Sequence, residues 1–199
     1  MKKKKPIPQI KKRYSKEWLT VGEWNRLSEL KKSARDNVII HLLYGCALRV
    51  SELCALQVKD VDVESSHLII RKSKNEPEPR VIHIPSQVLE IIKPYVAEAN
   101  PDESLIVCPT RPNSPHQIHR KTIYRIVREL AQKAGIKKPI TTHTFRRSRA
   151  THLLDAGLRI ERVSQLLRHK RFDTTRKYLK LAPEQLWKEM KGFDPLEKV

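Results

Sequence analysis

The stretch Gly45-Cys-Ala-Leu-Arg-Val-Ser-Glu-Leu53 lies between two helical patterns and sets the frame for the rest of the chain. Apolar residues at helical spacing precede it from about Asp36, and Gly45 follows that helix. The stretch itself predicts a short helix bearing Arg49 and Glu52, three residues apart, in which the carboxylate is expected to hold Arg49 or a neighbouring donor in place. The alternative is that Arg49 is an ordinary surface arginine, which the specific order of Gly, Arg and Ser-Glu-Leu argues against.

Outward from this stretch, the pattern predicts further helices and one small sheet. Thr20 to Glu23 fits a capping box that opens a helix, and β-rich runs at 67–72 and 81–84 predict a hairpin around a proline-containing loop. The other predicted elements are a short strand at Leu105 to Val107 and helices from Ser86 to before Asn100, about Ile118 to Ala134, His143 to Asp155, Ile160 to Leu167 and Glu184 to Lys191. The expected fold class is mainly α with a small antiparallel β-sheet (α+β). Core positions are expected for Tyr44, Tyr95 and Tyr124, and a packing role for His152.

The charge of the chain favours a polyanionic partner. Its 199 residues carry 41 Lys and Arg against 22 Asp and Glu, a formal net charge of +19. The basic residues are spread along the chain instead of facing one apolar helical stripe, which favours nucleic acid over a membrane surface. No apolar run approaches the roughly 20 residues of a membrane span, and no secretion signal follows the basic start. We therefore expect a cytoplasmic, DNA-associated protein with no membrane partner.

The cysteines and histidines do not predict a disulfide framework or a metal site. Three cysteines form no CxxC pair, so they are expected to be small core residues. His116 and His119 lack the partner residues of a structural zinc site.

The start of the chain differs from the rest in composition. Residues 1–19 begin with four consecutive lysines and continue with two prolines and Lys11-Lys12-Arg13, which predicts a flexible basic N-terminal arm. Residues 20–199 predict a single domain without internal repeats. The alternative for the start is a boundary at which a preceding domain has been cut away.

Four segments in this order resemble the catalytic domain of the tyrosine recombinases, also called the phage integrase family, over roughly residues 20–182. They are the stretch from Gly45 to Leu53, His143-Thr-Phe-Arg146, Leu166-Leu-Arg-His169 and Thr174-Thr-Arg-Lys-Tyr178. Each segment alone is weak, whereas all four in order are a strong signal. The sequence departs from the family pattern at Arg147 in place of histidine, Arg168 in place of glycine, Phe145 in place of leucine and Ser73 in place of a common glycine.

The arginines of these segments suit chemistry on a DNA phosphodiester. Attack at phosphorus adds negative charge to the non-bridging oxygens, and two guanidiniums can bind those oxygens in forked geometry, a role that fits Arg49 and Arg146. His143 lies three residues before Arg146, at the expected start of a helix, where backbone N–H groups favour phosphate. The alternative for His143 is a polar residue that only starts the helix.

The remaining candidates carry nucleophilic and proton-transfer roles. Tyr178 is the candidate nucleophile, and with an ordinary pKa of ~10 its phenol needs a base, for which His143 is the candidate. His169 is expected to donate to the phosphate, and Lys72 in the hairpin to protonate the leaving 5′ oxygen. Lys74 points to the same strand face and is the alternative acid. The alternatives are a packed aromatic for Tyr178 and a helix-end cation for His169.

The resemblance implies a site-specific recombinase or integrase that cleaves and rejoins DNA through a 3′-phosphotyrosyl intermediate, without metal, ATP or another cofactor. It implies double-stranded DNA as partner, a monomer that forms a tetramer on DNA, and no small-molecule substrate. The segment Pro183 to Lys191 would dock on a neighbouring subunit or pack within its own chain. The N-terminal core-binding domain usual in the family is expected to be absent here.

Further DNA contacts and two rival functions complete the expectations. Contacts beyond the site are expected at Lys74, Arg120, Lys121, Arg125 and Arg147, with a solvated helix face as the alternative for the basic helix. The enzymatic rival is a type IB topoisomerase, which relaxes circles at one site. The rival from another class is a non-catalytic DNA-binding regulator on the same fold.

Overall fold

The computed structural model describes residues 18–71, 78–97, 99–106 and 117–168. Its architecture is mainly α with one small antiparallel sheet, which confirms the predicted fold class. The helices are α1 (Val21–Glu29), α2 (Ala34–Gly45), α3 (Val50–Ala55), α4 (Ser86–Val96), α5 (Arg120–Lys133), α6 (Thr142–Asp155) and α7 (Ile160–Leu167), and a 3₁₀ turn covers Val58–Asp60. The strands are β1 (Val61–Asp62), β2 (His67–Ile70) and β3 (Arg80–His83). No helix among the described residues is long and apolar enough to cross a membrane.

Helix ends follow the predicted capping signals. At α1 the Glu23 N–H donates to Thr20 Oγ1 at 3.2 Å and the Thr20 N–H donates to Glu23 Oε2 at 2.7 Å, which is a complete capping box. Glycines with left-handed backbone follow α5 and α6, at Gly135 (φ 68°) and Gly157 (φ 90°). The predicted helix at 184–191 lies outside the described residues.

The sheet has the order β1-β2-β3, and the predicted hairpin is its β2–β3 pair, with Leu68 opposite Ile82. Strand β1 was not predicted, because two residues are too short to show an alternating pattern. The strand predicted at Leu105 to Val107 is wrong for Leu105 and Ile106, which are buried in the core without joining the sheet. Both side chains pack in the core, and the Leu105 N–H donates to the Leu56 carbonyl at 2.9 Å.

The core surrounds α2, which packs against α4 and α6. Leu19 is fully buried in this core, and its N–H donates to Ser148 Oγ at 2.7 Å. Trp18 precedes Leu19 in the chain, and its carbonyl accepts a hydrogen bond from Lys138, which also donates to Glu23. Leu19, at the end of the predicted basic arm, therefore packs in the core.

The tyrosine predictions have mixed outcomes. Tyr44 is half-buried, and its hydroxyl lies 2.7 Å from His152 Nδ1, while His152 Nε2 lies 2.8 Å from the Leu19 carbonyl. Because a carbonyl only accepts, Nε2 carries the proton and Nδ1 accepts from Tyr44, which gives His152 the predicted packing role. Tyr95 is also partly buried, but Tyr124 is 42% exposed and the prediction for it is wrong.

Gly45 is required by the contact between α2 and α4. A Cβ atom at Gly45 would lie 2.4 Å from Cγ2 of Val88, closer than atoms can approach. We expect Gly45→Ala to lower the free energy of unfolding by about 1–3 kcal/mol, measured by chemical denaturation. The matched control is Gly22→Ala in α1, where the nearest atom is 4.0 Å away and alanine should stabilise by about 0.5–1 kcal/mol. Equal effects at the two positions would contradict the packing argument.

Candidate active site

The site is built on the turn between α2 and α3. Ala47 in this turn is fully buried and has left-handed backbone with a φ of 48°, a conformation that costs a non-glycine residue energy and is concentrated at functional sites. Its carbonyl accepts hydrogen bonds from Arg146 Nη1 at 2.6 Å and from Arg168 Nη2 at 3.2 Å. The turn therefore joins α6 and the end of α7 to the start of α3.

Arg49 is held on the same turn, next to Glu52. It is the residue before α3, not a residue within the helix as predicted. Its N–H donates to Glu52 Oε2 and its Nη1 to Glu52 Oε1, both at 2.7 Å. About a third of the Arg49 side chain (31%) stays exposed, so the guanidinium is oriented by the carboxylate and still accessible. The predicted role of Glu52 in holding Arg49 agrees with this geometry.

Arg168 is the second cation on Glu52, and sequence reasoning missed this contact. Its Nη2 donates to Glu52 Oε2 at 2.7 Å, and its side chain is 3% exposed. Its backbone carbonyl accepts from Arg49 Nη2 at 2.9 Å. The sequence does show arginine at this position, where the family pattern has glycine. That difference does not indicate which residues the side chain contacts.

The charge state of Glu52 follows from these contacts. Burial alone would raise the pKa of Glu52, but Arg168 and the hydrogen bonds and charge of Arg49 outweigh burial, so its pKa is lowered. Glu52 is therefore ionised at neutral pH and forms ion pairs with both arginines.

Helix α6 presents Arg146 and His143 on one face. Arg146 is 4% exposed, and His143, one turn earlier, is exposed. Partial burial, followed by the charges of Arg146, Arg147 and Arg49, lowers the pKa of His143. Its imidazole is thus neutral at neutral pH and can accept a proton. Arg146, Arg147 and Arg49 therefore all disfavour the charged form of His143.

The predicted DNA-contacting residues in the described segments are solvent-accessible. Arg120, Lys121 and Arg125 lie on the exposed face of α5, where Arg125 Nε is 3.8 Å from Glu129 Oε1, and Arg147 is exposed on α6. Tyr124 shares the exposed face of α5. These four basic side chains therefore lie at the protein surface.

Cysteine chemistry is absent from the described part of the site. Burial raises the pKa of Cys46 to about 12 and that of Cys54 to about 11, so both thiols are inert at neutral pH. Among the described residues no group of three or more His, Cys, Asp or Glu is arranged to hold a metal ion.

Four of the predicted site residues, Lys72, Lys74, His169 and Tyr178, lie outside the described residues.

The sequence is similar to known proteins over most of its length. The sequence model of the phage integrase family matches residues 17–185. The tyrosine recombinase XerA of Pyrococcus furiosus is 36% identical over 192 residues, which are 96% of this chain and 66% of that protein. A tyrosine recombinase of Pseudothermotoga lettingae is 35% identical over 195 residues, 96% of this chain and 63% of that protein. The chain thus spans about two thirds of the length of these curated relatives.

The fold also matches a solved structure. The crystal structure of XerA recombinase superposes with a TM-score of 0.77 at 28% identity, over 89% of this chain and 64% of that chain. The sequence match, the fold and the paired arginines point the same way: this chain belongs to the phage integrase family of tyrosine recombinases, and its fold is that of their catalytic domain.

Proposed function

We propose that this protein cleaves and rejoins double-stranded DNA through a 3′-phosphotyrosyl intermediate, as a site-specific recombinase or integrase. The observation that carries the proposal is the bond from Arg146 to the Ala47 carbonyl, two residues before Arg49, together with the lowering of the His143 pKa by both arginines. These residues come from the starts of two helices far apart in sequence, and a purely structural role would not require the Arg49 side chain to remain about a third exposed.

The arginines stabilise the charge that develops during the reaction. When the nucleophile adds to phosphorus, negative charge grows on the two non-bridging oxygens. Arg49 is oriented by Glu52 and Arg146 by the Ala47 carbonyl, so neither guanidinium needs to reorganise when that charge appears. Such fixed donors supply the stabilisation that metal ions give in two-metal nucleases, and no metal, ATP or other cofactor enters the proposed scheme.

The remaining steps use residues proposed from the sequence. The Tyr178 oxygen forms a bond to phosphorus and its proton passes to His143, while the bond from phosphorus to the 5′ oxygen breaks. Lys72 gives that oxygen a proton, which leaves a 5′ hydroxyl, and His169 donates to the phosphate. His169 directly follows Arg168, whose carbonyl is bonded to Arg49, and this covalent link supports its place in the site. Rejoining reverses these steps, so the bond energy is conserved.

The general acid can be identified by changing the leaving group of the DNA substrate. Lys72→Ala should slow cleavage of an ordinary phosphodiester but not of a substrate with a bridging 5′ sulfur, because a thiolate leaves without a proton. The measurement is the rate of cleavage of both substrates by both proteins. If the cleavage rate of Lys74→Ala, and not that of Lys72→Ala, were restored by the sulfur substrate, Lys74 would be the general acid.

Charge and relatives support the proposed partners. The net charge of +19 favours DNA, and Arg120, Lys121, Arg125, Arg147 and Lys74 are proposed to contact its phosphates. A structurally similar protein, the XerH site-specific recombinase, was solved bound to palindromic difH substrate in a post-cleavage complex, with a TM-score of 0.71 at 20% identity. We propose that free monomers of this chain assemble into a tetramer on two DNA sites, in the cytoplasm, with the basic residues before Trp18 contacting the DNA backbone.

The products distinguish this proposal from its rivals. A plasmid that carries two copies of the target site should yield recombinant molecules, whereas a type IB topoisomerase would yield relaxed circles from a plasmid with one site. A regulator would bind the site and form no covalent adduct on a denaturing gel. Binding without an adduct on DNA that the protein itself selects would contradict the enzymatic proposal.

A further inference from the structure

Arg168 occupies a backbone position that ordinarily favours glycine. Its φ of 54° and ψ of 45° lie in the left-handed region, where a side chain clashes with its own backbone. Its neighbour in the site, Ala47, is also left-handed, and the two are joined by the bond from Arg168 Nη2 to the Ala47 carbonyl. A long charged residue at a strained and almost fully buried position needs compensating contacts.

The Arg168 side chain has such contacts at both of its terminal nitrogens. Nη2 donates to Glu52 Oε2 at 2.7 Å and to the Ala47 carbonyl, and Nη1 donates to the Leu166 carbonyl at 3.1 Å. Both terminal nitrogens of Arg168 are thus bonded within the protein, and 3% of the side chain is exposed. Its contacts lead instead to Arg49, through the shared carboxylate of Glu52 and through its own carbonyl, which accepts from Arg49 Nη2 at 2.9 Å.

We propose that Arg168 is a positioning residue that fixes the guanidinium of Arg49 for the phosphate; the proposal rests on the proposed DNA cleavage. Glu52 uses Oε1 for Arg49 Nη1 and Oε2 for Arg168 and the Arg49 N–H. Without Arg168, Oε2 can take a second guanidinium N–H of Arg49 in a bidentate pair. Arg49 would then turn towards Glu52, and its guanidinium would pair with the carboxylate instead of the phosphate.

The test compares cleavage rate with DNA affinity in Arg168→Gly. Glycine adopts the left-handed backbone without strain, and the substitution removes the guanidinium that is paired with Glu52. At saturating DNA, the single-turnover rate of adduct formation should fall ~10- to 100-fold, because small displacements of a catalytic group cost that much. The dissociation constant for DNA should change by less than about threefold, since the terminal nitrogens of Arg168 are bonded to Glu52, Ala47 and Leu166 and not to a phosphate. Ser66→Gly, which removes another left-handed side chain (φ 55°) far from the site in sequence, should leave both unchanged.

A second variant covers the case in which glycine impairs folding. Arg168→Lys keeps a cation against Glu52 but lacks the fork that also reaches Ala47, so its rate should lie between those of the wild type and the glycine variant. The proposal is overturned if the folded variants cleave within about twofold of the wild-type rate, or if their loss of rate is matched by an equal loss of DNA affinity.

A measurement without DNA separates this proposal from the proposed function. In ¹⁵N-labelled protein, the guanidinium N–H signals of Arg49, assigned by their loss in Arg49→Lys, should exchange slowly in the wild type and in Ser66→Gly. They should broaden or move in Arg168→Gly, because Arg49 changes partners. Unchanged Arg49 signals in Arg168→Gly would refute the positioning role, even if the wild-type protein cleaved no DNA. A wild type without cleavage but with the expected signal change would refute the proposed function alone.

Discussion

Tyr178→Phe is expected to abolish the covalent protein–DNA adduct while leaving DNA binding and the fold intact. The substitution removes one oxygen atom, which is the atom proposed to bond to phosphorus, and keeps the aromatic ring for any packing role. The measurement is trapping on a nicked suicide substrate that lets the cleaved fragment diffuse away, followed by a denaturing gel. Binding is measured in parallel by gel shift.

The matched control for this variant is Tyr124→Phe. Tyr124 is 42% exposed on α5 and is not proposed to react, so its variant should form the adduct at the wild-type level. An adduct that persists in Tyr178→Phe would show that another residue is the nucleophile. If Tyr178→Phe lost DNA binding in the same proportion, the tyrosine would be a structural or binding residue instead.

Arg49→Ala and Arg146→Ala should each slow adduct formation on the order of 10²–10³-fold at saturating DNA. Each variant keeps the nucleophile but loses a fixed donor for the charge on the non-bridging oxygens. Arg49→Lys should recover little of the rate, because an ammonium cannot bind Glu52 and a phosphate in forked geometry. Single-turnover kinetics on the suicide substrate measure these effects.

Two controls separate chemistry from charge and folding. Arg159→Ala removes a cation that is 83% exposed beside Glu161, and its rate should stay within about twofold of the wild type. Arg146 is almost fully buried and bonded to Ala47, so thermal unfolding of Arg146→Ala must be measured beside its rate. Rate losses of similar size in Arg159→Ala and Arg49→Ala would contradict a specific role for Arg49.

The helices could be predicted because their signals are local. The capping box at Thr20, the glycines after α5 and α6 and the apolar spacing of α7 depend on residues close in sequence. The apolar face of α5 also explains the error at Tyr124, which lies beside that stripe, on the side of the helix that carries Arg128. The sequence favours a strand at Leu105 and Ile106 because a short apolar run has no period that separates a strand from a buried turn.

The arrangement of the site could be predicted only in part. Glu52 lies three residues from Arg49, so their pairing follows from helical spacing. The bonds of Arg146 and Arg168 to Ala47 link residues about a hundred positions apart, and no local pattern indicates which carbonyl a buried arginine will reach. The left-handed backbone of Ala47 was equally hidden, since alanine gives no signal for that conformation.

The most direct test of the proposed mechanism is to locate the covalent bond. The wild-type protein is incubated with a suicide duplex carrying a sequence that the protein selects from a genomic pool, and the trapped adduct is digested and analysed by mass spectrometry. We predict that the peptide containing Tyr178 carries the nucleotide, joined through a 3′ phosphate. A nucleotide on another residue, a 5′ phosphate linkage, or no adduct on the selected DNA would contradict it.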